Sequence, residues 1–144
     1  MLYAPLLIWI GVIFFLSSGQ GSMSRTSLII RPILEFLFPS APEETLLLYH
    51  GYIRKVAHFA EYGVLGLLAC RAFSGSLQNF IRNHHYILAI ILLIVVAVLD
   101  ETNQSFNPAR TGSPFDVLID LSGGFTAIVL FYLLAKRRNS VTTA

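Results

Sequence analysis

The stretch HYILAIILLIVVAVLDETNQ, residues 85–104, decides the fold. Its first part, residues 86–99, is uninterrupted apolar sequence with no charge to break it. It then ends abruptly on Asp100, Glu101 and Gln104. A helix needs about 20 largely apolar residues to cross the hydrocarbon core of a bilayer, and this segment has the right length and composition. The whole chain agrees with that reading. Of its 144 residues 55% are hydrophobic and only 12% charged, and the mean hydropathy is +0.68. Soluble domains carry about 25% charged residues. Ten basic against eight acidic residues leave +2, too balanced for an electrostatic binder of nucleic acid. Cys70 is the lone cysteine, so neither an internal disulfide nor a cysteine-based zinc site can form.

Working outward, three more spans are expected. Residues 2–16 form an apolar run with no Lys or Arg before it, which favours an uncleaved span over a signal peptide. The second span covers residues 55–73 and the fourth residues 116–135, closed by Lys136, Arg137 and Arg138. Residues 28–38 (LIIRPILEFLF) are apolar but too short to cross, and read as an interfacial or re-entrant helix with Pro32 in its first turn. Ser40 and Glu43 have capping-box spacing for a helix running through residues 46–48 into the second span. Residues 74–83 and 106–114 read as short connections and residues 139–144 as a frayed tail. The expected fold is therefore all-α: one integral-membrane four-helix bundle over residues 1–144, with an interfacial or re-entrant helix between spans one and two.

Four spans put both termini on one side. Lys and Arg divide five to five between the two faces, but the side holding the tail and the 74–83 connection carries no acid. That asymmetry points to cytoplasmic termini. Antiparallel spans then bring the start of span two, the end of span three and the start of span four to the opposite face, together with all eight acids of the chain. Lys55, His58 and Tyr62 follow one helical stripe, with Glu61 beside it. Asp100/Gln104 and Asp116/Asp120 are i, i+4 pairs, each on one face. Glu61 lies about 9 Å deeper along its helix than Lys55. A carboxylate at that depth must face protein or a wet cavity. Gly123-Gly124 would let a neighbouring helix approach closely.

Glu61, Asp100, Glu101, Asp116 and Asp120 outnumber Arg54, Lys55 and Arg110. Protonated carboxylates, a charged His58 or a bound divalent cation such as magnesium, calcium or manganese would each balance the surplus. His58, Glu61, Asp100, Glu101 and Asp116 are the candidate catalytic residues. Lys55, Tyr62, Gln104, Arg110 and Asp120 are the candidate binding residues.

The segment KVAHFAEYGVLG (55–66) resembles the first signature of the VanZ-like family of membrane proteins. The segment DETNQSFNPAR (100–110), followed by Asp116, Asp120 and Gly123-Gly124, resembles its second. Arg54 stands where many members carry an acid, and Asp120 where asparagine is common, so the family's charge balance does not transfer to this chain. The resemblance implies a multi-pass protein of the bacterial cytoplasmic membrane and cell envelope. It also implies an association with resistance to glycopeptide antibiotics, teicoplanin in particular. Two functions fit this pattern. One is a binding protein whose polar pocket takes the head group of a membrane lipid, a lipid-linked cell-wall precursor or a lipoglycopeptide. The other is a membrane hydrolase or transferase acting on such a head group, in a chain with no G-x-S-x-G, H-E-x-x-H or P-loop motif. Ion or proton translocation fits less well, because residues 121–135 carry no ionisable relay.

Overall fold

A computed structural model describes residues 2–18, 23–106 and 113–142 of the chain. The described residues form six helices: α1 (Ala4–Ser17), α2 (Met23–Leu37), α3 (Glu43–Ser74), α4 (Asn79–Asn83), α5 (His85–Ser105) and α6 (Pro114–Thr142). Glu43–Ser74, His85–Ser105 and Pro114–Arg138 are long and apolar enough to cross a membrane. The first helix is shorter than the apolar run that encodes it. Its 14 residues extend about 21 Å, against a hydrocarbon core about 30 Å thick.

Side-chain contacts fix how the helices run. Tyr86 of α5 packs on Phe131 and Tyr132 of α6, Leu93 lies against Gly124, and Glu101 reaches Ser113, so α5 and α6 are antiparallel. Tyr3 stacks on Phe73, and the Trp9 indole N–H donates to the Glu61 carbonyl at 2.9 Å, which sets α1 antiparallel to α3. α3 and α6 run parallel, meeting at Lys55–Asp116, His58–Asp120 and Gly66–Gly124. α3 and α5 form the centre of the bundle, with α1 lying in one groove between them and α6 in the other.

The α3–α6 pair is the closest contact in the fold, and small residues permit it. A Cβ added at Gly123 would lie 2.1 Å from the Phe59 carbonyl oxygen, and one at Gly66 would lie 2.8 Å from the carbonyl oxygen of Gly124. In lipid there is no hydrophobic drive between helices, so backbone proximity and van der Waals contact carry the association. The core follows the same rule: Ala69, Ala72, Ala89 and Ala97 are fully buried, alternating with Leu65 and Leu93. Larger apolar residues such as Ile8, Ile91, Leu130 and Leu134 project outward, as expected where the surroundings are hydrocarbon.

Several local expectations need correction. Pro32 lies inside α2, not in its first turn, because the helix already begins at Met23 and takes in the polar run 24–27. Ser40 and Glu43 form no capping box. Pro42 is the N-cap of α3 and makes no side-chain cap bond, and Glu43 and Glu44 occupy the first turn, where the helix dipole favours acids. The helix expected to run through residues 46–48 into the second span is present: α3 begins at Glu43 and continues through Arg54 and Lys55, both good helix formers. The 74–83 connection contains the short helix α4, and α6 continues to Thr142 through the first residues of the tail. α2 packs on α3 and on no other described helix. It is tied there by Thr26 to His50 at 3.0 Å and by Arg31 to Glu43 at 3.1 Å.

Gly123→Ala is expected to destabilise the protein by about 1–3 kcal/mol through overpacking against Phe59. Gly51→Ala, whose new Cβ meets nothing within 4 Å, is expected to be neutral or stabilising by up to about 1 kcal/mol from helix propensity. Thermal unfolding in detergent, followed by circular dichroism, checks both; equal losses would contradict the close α3–α6 approach.

Candidate functional site

At one end of the bundle the apolar core gives way to a polar layer fed by four helices. α1 contributes Ser17, α3 His58 and Tyr62, α5 Asp100 and Gln104, and α6 Asp120. Asp100 and Asp120 are 2% and 0% exposed, respectively. His58 Nδ1 lies 3.1 Å from Asp120 Oδ1. The Tyr62 hydroxyl donates to Asp100 Oδ2 at 3.2 Å, and the Gln104 amide donates to the same oxygen at 3.1 Å. The Ser17 hydroxyl donates to the Asp100 backbone carbonyl at 3.4 Å and accepts from the Asn103 amide at 3.3 Å, closing α1 over the end of α5.

Local helix geometry explains the convergence. His58 and Tyr62 are one turn apart on the face of α3 that meets α5 and α6, and Asp100 and Gln104 are likewise one turn apart on α5. The parallel register set by the glycines places Asp120 of α6 level with His58. Buried carboxylates need partners, since leaving one bare costs several kcal/mol. Here the partners are a phenol, an amide and an imidazole. Even so, Asp100 Oδ1 and Asp120 Oδ2 are buried with no hydrogen-bond partner.

A cavity of about 190 Å³ opens beside this layer. Ile13, Leu16 and Ala57 form its apolar wall, and Arg54, His58, Glu61, Asp100 and Gln104 supply its polar side, with Ser17 and Thr26 between. An apolar enclosure with a few convergent polar groups is the usual form of a small-molecule site.

The remaining candidates stand apart. Lys55 reaches Asp116 at 3.6 Å one turn nearer the helix starts, and the two side chains are 50% and 27% exposed. Glu101 is rotated away from Asp100 around α5. It accepts the Ser113 backbone N–H at 2.7 Å and borders a separate, more open hollow with Thr102, Ser105 and Val117. Its Oε1 is buried without a hydrogen-bond partner. Arg110 lies outside the described residues. Thr26 and Asn103 joined the site without a sequence signal. Trp9 gave one: an indole N–H in an apolar helix needs an acceptor, and it finds the Glu61 carbonyl.

The profile of the VanZ/LLP1 family matches residues 2–135. No curated protein and no solved structure gives a match.

Tyr62→Phe is expected to cost about 1–3 kcal/mol by removing one of the two donors to Asp100. Lys55→Gln is expected to cost no more than about 1 kcal/mol, as for other exposed ion pairs. Thermal unfolding of both variants in detergent checks this; an equal loss would mean that the Lys55–Asp116 pair belongs to the buried layer.

Proposed function

The chain belongs to the VanZ/LLP1 family, and from that membership and the geometry of the polar layer we propose that it is an envelope membrane protein that holds the polar head group of an amphiphile. The occupant class is a membrane lipid, a lipid-linked cell-wall precursor or a lipoglycopeptide-type head group. One observation carries the proposal: the cavity joins an apolar wall of Ile13, Leu16 and Ala57 to the ionisable side of His58, Glu61 and Asp100 within a single hollow. A head group with a hydrocarbon tail matches both surfaces, and a purely polar solute matches only one. The family association with teicoplanin resistance follows if the occupant is the drug or the precursor it recognises.

In this proposal residues 1–144 are one membrane domain and α1 is a fourth crossing helix. Ser17 lies level with Asp100, and Tyr3 level with Phe73. α1 therefore covers the apolar section of the bundle, and its shortness is met by local thinning of the bilayer. Lys136, Arg137 and Arg138 anchor cytoplasmic termini at the bacterial inner membrane. The pocket then opens on the extracytoplasmic face, and α2 lies at that interface with Leu28, Ile29 and Phe36 exposed to lipid.

A second reading, a membrane hydrolase or transferase, draws on the His58–Asp120 pair. An imidazole held by a buried carboxylate is the arrangement of an oriented general base. Glu61 and Asp100 would then face the substrate from the cavity wall, with Asp116 and Glu101 outside it.

A photoreactive amino acid at position 57, on the cavity wall, is expected to capture a head-group-bearing amphiphile in native membranes. The same probe at Ile91, on the outward face of α5, is expected to capture bulk lipid only. Identical adduct profiles by mass spectrometry would contradict the binding proposal. Lipid or precursor profiles that change on expression and revert with His58→Ala would favour the enzyme.

A further inference from the structure

His58, Asp100 and Asp120 arrive from three different helices, and one potential ligand atom from each lies within 4.8 Å of the other two. We propose that these three side chains bind one divalent transition-metal cation, with Zn²⁺ and Mn²⁺ the best matched, and that its open positions face the cavity. The cation site stands on these three side chains alone. Its use as a grip on a phosphate or carboxylate oxygen of the amphiphile rests on the head-group proposal.

Four observations support it. The first is geometric. Ligand atoms on a common ion, at bond lengths near 2.1 Å, sit about 3.4 Å apart. No pair therefore has to close by more than roughly 1.4 Å, within the reach of aspartate χ2 rotation, which is a soft torsion. The second is the pair of orphan oxygens. Asp100 Oδ1 and Asp120 Oδ2 are buried with no hydrogen-bond partner, on residues 2% and 0% exposed. Buried polar atoms are almost always paired, so two bare carboxylate oxygens in one cluster leave acceptor positions that a cation would fill. Lys55 does not supply it, because its ammonium reaches Asp116.

The third is the surrounding shell. Tyr62 and Gln104 both donate to Asp100 Oδ2, fixing one oxygen and leaving the other for the ion. Such outer donors are what orients metal-ligating carboxylates. The fourth is access. His58 and Asp100 both line the 190 Å³ cavity, whereas Asp120 lies behind them. An ion held here has protein on one side and an open hollow on the other, the pattern of a site that takes a further ligand. The donor set selects the metal: magnesium and calcium favour all-oxygen shells, while a mixed imidazole–carboxylate set suits zinc or manganese.

The test uses the 144-residue chain, purified in detergent, stripped with EDTA and titrated separately with MnCl₂ and ZnCl₂ by equilibrium dialysis. About one ion per chain is expected to bind, with affinity falling as pH drops because the ligands must be deprotonated. Asp100→Asn and Asp120→Asn are expected to abolish uptake, and Tyr62→Phe to weaken it about 10–100-fold as a positioning residue. Glu101→Gln and Asp116→Asn are expected to bind as the wild type does. Should the aspartate variants misfold, nitrogen hyperfine coupling to Mn²⁺ in the wild type, lost in His58→Gln, reports the same ligand. A folded wild type that takes up neither ion, or an Asp100→Asn variant that binds equally well, would overturn the proposal. No lipid enters this titration, so a negative result leaves amphiphile capture at position 57 to be judged separately.

Discussion

The backbone-to-backbone approach of α3 and α6 is the constraint on which everything else depends. Gly123 leaves no room for a Cβ against Phe59, and Gly66 none against Gly124. The two helices therefore run closer than side chains would allow anywhere else in the bundle. One turn from that contact, His58 meets Asp120 at 3.1 Å. An imidazole and a short aspartate can meet across two helices only when their axes are drawn together. Substituting the glycines would thus act on the polar layer as well as on packing, because the layer is built at the same crossing.

The second consequence is energetic. Insertion of a carboxylate into hydrocarbon costs a few kcal/mol on biological scales and more in simulation. Placing Asp100 and Asp120 inside the bundle replaces lipid with phenol, amide and imidazole, yet it leaves one oxygen of each without a hydrogen-bond partner. A structural polar cluster would be expected to satisfy its own acceptors. The cavity opens beside His58 and Asp100, with Asp120 behind them, and both the head-group and the cation proposals draw on that opening. Asp120 is the residue that contacts His58.

Much of this site was legible in the sequence because two simple periodicities compose. Helical spacing put His58 with Tyr62, Asp100 with Gln104 and Asp116 with Asp120. Alternation of direction put the three pairs at one end. What periodicity could not resolve was rotation about each axis. Asp100 and Glu101 are neighbours in sequence but differ by about 100° around α5, so one enters the cluster and the other faces Ser113. Likewise Asp116 pairs with a half-exposed Lys55 while Asp120 is fully buried. Helix ends were the least legible feature. Pro32 suggested a start that the polar residues before it had already provided, and Ser40 with Glu43 suggested a capping box where Pro42 takes the N-cap position instead. α1 follows the apolar run closely, beginning two residues later and ending one residue beyond it.

The polar layer exists only if α3, α5 and α6 bring these side chains together inside the membrane. Cysteine pairs test this directly in a Cys70→Ser background, by oxidation of intact membranes. The pairs His58→Cys with Asp120→Cys, and Tyr62→Cys with Asp100→Cys, are expected to cross-link rapidly. The pair His58→Cys with Ile128→Cys, about two helical turns out of register, is expected to remain free. Absence of bonding in the first two pairs, or equal bonding in the third, would contradict it.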